Sequence, residues 1–216
     1  MDLTELAELR QEYTGAGLTE ADLAPDPIEQ FALWFAAWRE VAVGDPNAMV
    51  VATATPDGRP SMRTVLLRGL DADGFVFFTN RHSRKGADLA ANPRAALLFP
   101  WHALDRQVIV EGTARPVEPG ESDAYWATRP RGSQLAAVAS PQSQVVPDRA
   151  TLERRWAELD ATLTGRDVPR PAHWGGYRVV HDRVELWQGR QWRMHDRLVY
   201  RRAPGAPGWV IERLAP

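Results

Sequence analysis

Apolar positions change period along this chain, and the change divides it. Asp26-Pro27 reads as a helix start, with Asp as N-cap and Pro in the first turn. Phe31, Trp34, Phe35 and Trp38 then follow at helical spacing, a stripe that belongs to a core rather than to a cofactor box. From Ala48 the pattern turns to β. Strands are expected at Ala48–Thr53, Met62–Leu67 and Phe75–Thr79, with turns at Pro56-Asp57-Gly58 and Leu70–Gly74. A short helix is expected over Ser83–Ala91, ending at Asn92-Pro93. Two further strands, Ala95–Phe99 and Gln107–Val117, precede helices at Pro119–Thr128 and Arg149–Leu163. After the Pro-rich residues 168–171 comes a last β group: Gly176–Val180, Val184–Gln188, Trp192–Arg202 and Trp209–Leu214. The fold class is therefore mainly β with peripheral helices, arranged as a small barrel. Residues 1–25 carry a short helix and a polar, Gly-containing stretch with little apolar surface. They are expected to form a mobile N-terminal arm on a single domain of residues 1–216.

Composition narrows the chemistry. The 216 residues are enough for a real core. A formal net charge of -2 argues against a nucleic-acid partner. Cysteine is absent, which removes disulfides, zinc thiolates and thiol nucleophiles. The five His lack metal spacing, so no metal is expected. The start is charged, without the apolar core of a signal peptide, and the run Ile28–Val43 is broken by Glu29, Gln30, Arg39 and Glu40. The expectation is a cytoplasmic protein with no membrane contact. Nine Trp are many for this length and suit interfaces or flat walls beside an aromatic ligand.

Four basic clusters could carry function. Arg63 and Arg68 flank an apolar strand, and a period of two puts them on opposite faces. Ser83-Arg84-Lys85-Gly86 precedes a helix, where backbone N–H groups and basic side chains suit a phosphate; alone it also reads as a solvated face. Arg129 to Gln134, with Tyr125 one turn earlier, could hold a second phosphate or be an ordinary basic helix end. The fourth runs from Trp187 to Arg197. In a strand Arg193, His195 and Arg197 share one face, and two guanidiniums beside an imidazole are costly to bury without anions. There is no G-x-S-x-G, G-x-G-x-x-G or Walker loop. On the residues alone, this is an enzyme or binder for a planar, multiply phosphorylated small molecule.

The ordered set LRQEYT, DPIEQF, DPNAMVVAT, RTVLLR, FFTNRHSRKG, NPRAALLFPWHALDRQV, RPRGSQLAA, WGGYRV, ELWQG, RMHDR and ERLAP resembles the pyridoxamine 5′-phosphate oxidase family over nearly the whole chain. The resemblance implies an FMN-binding split β-barrel, used as a homodimer with FMN at the subunit interface. It assigns FMN binding to Arg63, Thr64, Val65, Leu66, Leu67, Arg68, Phe78, Thr79, Arg84, Lys85, Gln107, Gln142, Ser143, Trp187 and Arg197. It assigns substrate binding to Arg10, Tyr13, Arg68, Tyr125, Arg129, Ser133, Arg193 and His195, the last two being the catalytic pair. The implied reaction oxidises pyridoxamine or pyridoxine 5′-phosphate to pyridoxal 5′-phosphate, with dioxygen reduced to hydrogen peroxide. Two positions depart from the family pattern: Arg68 stands where Lys is usual, and Phe78 where Tyr is frequent. The rival readings are a phenazine-type FMN oxidase and a non-catalytic carrier of FMN or pyridoxal phosphate. The intact Tyr125, Arg129 and Ser133 speak against the first, and the Arg193, His195 and Arg197 group speaks against the second.

Overall fold

A computed structural model describes residues 2, 8, 12, 13, 15, 17–203, 205 and 207–216. Its strands are β1 (Ala48–Ala54), β2 (Pro60–Leu66), β3 (Gly69–Asp71), β4 (Gly74–Asn80), β5 (Arg94–Trp101), β6 (Arg106–Pro116), β7 (Trp174–Gln188), β8 (Asp196–Arg202) and β9 (Trp209–Leu214). Its α-helices are α1 (Pro27–Val41), α2 (Arg84–Ala91), α3 (Pro119–Ala127), α4 (Arg131–Ala139) and α5 (Arg149–Thr162). The described residues group into two compact units. Unit 1 takes those of Met1–Val50, Ala96–Glu111 and His181–Pro216; unit 2 takes Val51–Ala95 and Gly112–Val180. Strands β1, β5, β6 and β7 pass along the chain from one unit into the other.

In unit 1, the Asp26 side chain accepts from the Ile28 N–H at 2.7 Å, and Pro27 begins α1 as its spacing predicts. The aromatic stripe is core: Phe31 is fully buried and meets Phe99 edge-on at 4.8 Å, while Trp38 stacks on Trp101 at 6.3 Å. Strand β8 pairs antiparallel with both β7 and β9, setting Leu186 opposite Leu198 and Tyr200 opposite Ile211. The Tyr200 hydroxyl donates to the Ala24 carbonyl at 2.6 Å, tying the entry to α1 onto this sheet.

In unit 2, β4 pairs antiparallel with β3 and β7. The β3–β4 turn closes on Gly74 at φ 136°, where a Cβ would sit 2.1 Å from the Val179 carbonyl oxygen. Only glycine fits that turn. A second core gathers Trp126, Leu135, Val168 and Trp174, with Trp156, Leu159 and Leu163 packed against it.

Three expectations are corrected here. Residues 176–188 do not form two strands; β7 is continuous from Trp174 to Gln188, its inward alternation slipping by one residue at Asp182-Arg183 between Val179 and Val184 without breaking the strand. Residues Arg131–Ala139 form a helix that the basic, Gly-containing start concealed. Residues 192–202 are not one strand. Gln191–Arg193 is a 3₁₀ turn with Trp192 and Arg193 at φ 54° and 64°, and β8 starts only at Asp196. Left-handed residues cannot continue a strand, so Arg193, His195 and Arg197 do not share a strand face. Among the described residues, no helix is long and apolar enough to cross a membrane.

Candidate active site

The N-terminus of α2 builds a cationic pole in unit 2. Ser83 caps the helix, its Oγ accepting from the Gly86 N–H and donating to the Asn80 carbonyl at 2.6 Å. That cap turns Lys85 inward, where it is only 7% exposed. The Lys85 Nζ donates to Thr79 Oγ1 at 3.0 Å, Gln142 Oε1 at 3.1 Å and Ser83 Oγ at 3.4 Å. All three acceptors are neutral. Burial, with a smaller contribution from the Arg63 charge, pushes the ammonium down from its usual range to about 8. Arg63 is anchored on β2 by donating to Thr53 Oγ1 and Ser61 Oγ, each at 2.8 Å, and its nearest carboxylate is Asp88 at 3.9 Å. Arg84 is exposed on the same helix end.

A second pole stands on α3, α4 and the end of β2. Arg68 lies beyond β2, so strand alternation does not decide its direction; its guanidinium sits 5.7 Å from the Tyr125 ring centroid. Arg129 packs on Trp174 at 5.0 Å and Trp126 at 5.6 Å, and donates to the Ser133 carbonyl at 2.9 Å. Its Nε is buried with no hydrogen-bond partner. Burial lowers the Arg129 pKa, with Tyr125 opposing. Arg131, from the same basic run, turns away: it binds Asp160 and the carbonyls of Leu163 and Arg166, joining α4 to α5.

Both poles open on one cavity of about 510 Å³. It is lined by Arg68, Lys85, Arg129, Tyr125, Ser133 and Gln142, with Thr64, Val65, Leu66, Phe78, Thr79 and Trp174 among the rest. Among the described residues no Asp or Glu lines it. Leu67 is buried beside this wall, and Ser143 follows Gln142 in a left-handed turn at φ 71°. Of its three cations Lys85 is buried, Arg129 half-buried and Arg68 exposed, and with no carboxylate beside them the cavity suits an anionic ligand.

Unit 1 holds the other expected residues. Trp187, His195 and Tyr13 pack together: Trp187–His195 at 4.7 Å, Tyr13–His195 at 5.4 Å and Tyr13–Trp187 at 5.5 Å. The Arg193 guanidinium lies 5.9 Å from the Tyr13 ring centroid. His195 Nδ1 accepts from the Arg190 N–H at 3.1 Å, so neutral imidazole carries its proton on Nε2. Burial, then the Arg193 charge, lowers the His195 pKa, both disfavouring the charged ring. Arg197 is held elsewhere: its Nε donates to Glu185 at 2.8 Å and its terminal nitrogen to the Ala215 carbonyl at 3.1 Å. Gln107 is half-buried on β6. Arg10 lies outside the described residues.

Sequence reasoning missed two supporting residues. Glu185, 2% exposed, supplies the anion that the basic stretch was expected to lack, bridging Arg197 and Arg183. Burial alone would raise its pKa, but hydrogen bonds from the two arginines more than offset that and lower it. Trp174 seats Arg129; the signal available was an aromatic directly before Gly175-Gly176 at a strand start.

The chain is similar to known proteins over nearly its whole length. A family model described as pyridoxamine 5′-phosphate oxidase matches residues 36–162, and one described as the pyridoxine 5′-phosphate oxidase C-terminal dimerisation region matches residues 174–216. A pyridoxine/pyridoxamine 5′-phosphate oxidase of Rubrobacter xylanophilus is 59% identical, over 98% of this chain and 97% of that protein. One of Nocardioides sp. is 56% identical, over 98% of each. Among solved structures, PhzG from Burkholderia lata 383, in complex with tetrahydrophenazine-1-carboxylic acid, superposes with a TM-score of 0.86 at 33% identity, covering 94% of this chain and 99% of PhzG. A pyridoxamine 5′-phosphate oxidase-related, FMN binding protein from Nostoc punctiforme PCC 73102 gives a TM-score of 0.69 at 19% identity, covering 90% of this chain and 99% of that one, and shares the fold, mainly β of the split-barrel kind. The matched dimerisation region marks the chain as one that pairs with a second copy. With both family models in chain order and relatives this similar over nearly their full length, the chain belongs to the pyridoxamine 5′-phosphate oxidase family.

Proposed function

We propose that this protein oxidises pyridoxamine 5′-phosphate and pyridoxine 5′-phosphate to pyridoxal 5′-phosphate, using FMN and dioxygen. The observation that carries the reading is the carboxylate-free cavity with two cationic poles, Lys85 at one and Arg68 with Arg129 at the other. FMN fits the first pole: a buried ammonium bonded only to neutral oxygens, at a capped helix N-terminus, suits a phosphate dianion. FMN, when bound, supplies the two-electron acceptor that the side chains lack and that dioxygen reoxidises. Overall, the amine substrate, dioxygen and water give aldehyde, ammonia and hydrogen peroxide; the alcohol gives aldehyde and hydrogen peroxide directly.

The remaining work falls to the chain's own groups. Arg63, Arg84, Lys85, Thr79, Gln142 and Ser143 hold the cofactor phosphate and its surroundings, with Thr64 to Leu67 and Phe78 beside them in unit 2; Gln107, Trp187 and Arg197 are the further flavin contacts that the family resemblance assigns. Arg68, Tyr125, Arg129 and Ser133 clamp the substrate phosphate, binding remote from the reacting carbon that fixes its orientation. Arg193 and His195 attend the 4′ substituent. With Nδ1 occupied by the Arg190 N–H, His195 orients a substrate oxygen or nitrogen as an Nε2–H donor and is not assigned as an essential base. Tyr13, packed against His195, stands by the substrate, and FMN lies at the interface of a homodimer. The compartment fitting this chemistry is the cytoplasm.

The test is direct. Purified protein should be yellow and should bleach anaerobically when pyridoxamine 5′-phosphate is added, far faster than with pyridoxamine. Tetrahydrophenazine-1-carboxylic acid should not bleach it. A flavin that responds to the carboxylic acid and not to the phosphate ester would overturn the reading in favour of a phenazine-type oxidase.

A further inference from the structure

We infer that Trp174 is a positioning residue for Arg129: its indole face, in place of a carboxylate, holds the guanidinium toward the cavity in which, on the reading proposed above, the substrate phosphate is bound. Trp174 opens β7, opposite Asn80 in the register, and is 4% exposed. Its ring lies nearly parallel, at 12°, to both Phe78 at 5.5 Å and Tyr125 at 6.0 Å; Phe78 and Tyr125 stack at 4.1 Å. Three flat rings thus form one slab. Two guanidiniums sit on it, Arg129 over Trp174 at 5.0 Å and Arg68 over Tyr125 at 5.7 Å. The slab exists because residue 176 is glycine. It stands opposite Phe78 in the register, and a Cβ there would meet the Phe78 ring at 2.9 Å and Val117 at 2.7 Å.

The chemistry favours an aromatic seat over an ionic one. A carboxylate partner would fix Arg129 but would neutralise it and repel the phosphate. An aromatic face attracts the cation through its quadrupole and offsets part of the burial cost while leaving the charge unneutralised. It also holds the guanidinium plane, leaving the edge donors for an outside acceptor. The state of Arg129 agrees: Nε is buried without a partner, and its protein partners, the Ser133 carbonyl at 2.9 Å and the Tyr125 side chain, are both uncharged groups that leave its charge unneutralised. Arg131, two residues along, shows the alternative, locked by Asp160 and two carbonyls in a joint between helices.

A plain core role for Trp174, within the Trp126–Leu135–Val168 cluster, makes different predictions. The experiment compares wild type, Trp174→Phe and Trp174→Leu, each with Arg129 intact and with Arg129→Ala. Equilibrium binding of pyridoxal 5′-phosphate and of pyridoxal is read alongside kcat, KM and FMN affinity. Trp174→Leu should weaken the phosphorylated ligand on the order of tenfold. It should weaken pyridoxal far less than the phosphorylated ligand, and Trp174→Phe should keep most of the wild-type affinity. In the Arg129→Ala background either substitution should add nothing. If Trp174→Leu does not fold, the same comparison with Trp174→Phe decides: a small loss that vanishes with Arg129→Ala supports the inference. Equal losses for both ligands, additive losses, or no loss in either variant overturns it. Arg129→Ala weakening both ligands alike would instead overturn the phosphate reading of the site, and this inference with it.

Discussion

In unit 2, Lys85, Arg68 and Arg129 face a cavity with neutral oxygens and aromatic rings as their partners. In unit 1, Arg183, Arg190, Arg197 and Arg213 each meet a carboxylate: Arg183 binds Glu111 and Glu185, Arg197 binds Glu185, and Arg190 and Arg213 share Asp196. Both regions read as dense basic sequence, yet their electrostatics are opposite. Where the protein supplies its own anion, the arginines are framework: Asp196 also accepts from the Leu18 N–H at 3.0 Å, and Arg213 reaches Glu20 at 2.9 Å, fastening the segment before α1 to β9. Where it withholds one, the cations are left to be completed by a ligand. A charge paired inside the protein serves the framework, as Arg131 with Asp160 also shows in unit 2, whereas a charge left unpaired beside a cavity is open to a ligand.

The largest expected effect tests the framework side. Glu185→Gln leaves Arg183 and Arg197 without their shared buried carboxylate and should destabilise the protein by about 3 kcal/mol. Chemical denaturation of the FMN-free protein measures it; a loss below about 1 kcal/mol would mean the pair is not structurally important. On the ligand side, replacing Arg84 and Lys85 together by Ala should weaken FMN about a hundredfold and riboflavin little. Fluorescence titration with both flavins checks this, and equal losses would remove the phosphate from that pole.

The third prediction uses pH. The folded Lys85 pKa of about 8 lies below its usual 10.5, so between these values the unfolded chain holds more protons. The Lys85 contribution should therefore make the FMN-free protein more stable as pH rises from about 8 to 10.5. FMN affinity should move the other way, falling above pH 8 as the empty site loses its proton. Lys85→Met should flatten both slopes, and denaturation and FMN titration across this range would show whether it does. The smallest effect belongs to Arg201 and Glu212, a half-exposed pair at 2.8 Å on β8 and β9. Arg201→Ala should cost less than about 1 kcal/mol and change neither flavin nor substrate binding. A larger loss would blur the line between buried framework pairs and surface ones.

Much of this molecule is legible in its amino-acid pattern. The period of Phe31, Trp34, Phe35 and Trp38 marks α1 and its inner face, because a 3.6-residue repeat puts all four rings on one side, where Phe31 and Trp34 are buried and Phe35 and Trp38 half-buried. Ser83 with a basic pair marks a helix start suited to phosphate, since the cap and the exposed N–H groups depend on local sequence alone. The ordered motifs identify the family. What local pattern could not decide is which cations are paired. Arg131 and Arg129 are two residues apart in one basic run, yet one is locked to Asp160 and the other rests on Trp174, because their partners lie 29 and 45 positions away. The loop at Trp192 and Arg193 likewise hid behind a strand-like alternation, since left-handed backbone at non-glycine residues is held by packing and carries no sequence mark. The sequence determined most of the elements and the family, whose signals are local or ordered along the chain; the tertiary structure alone decided which charges stay open, because charge compensation depends on distances that only folding sets.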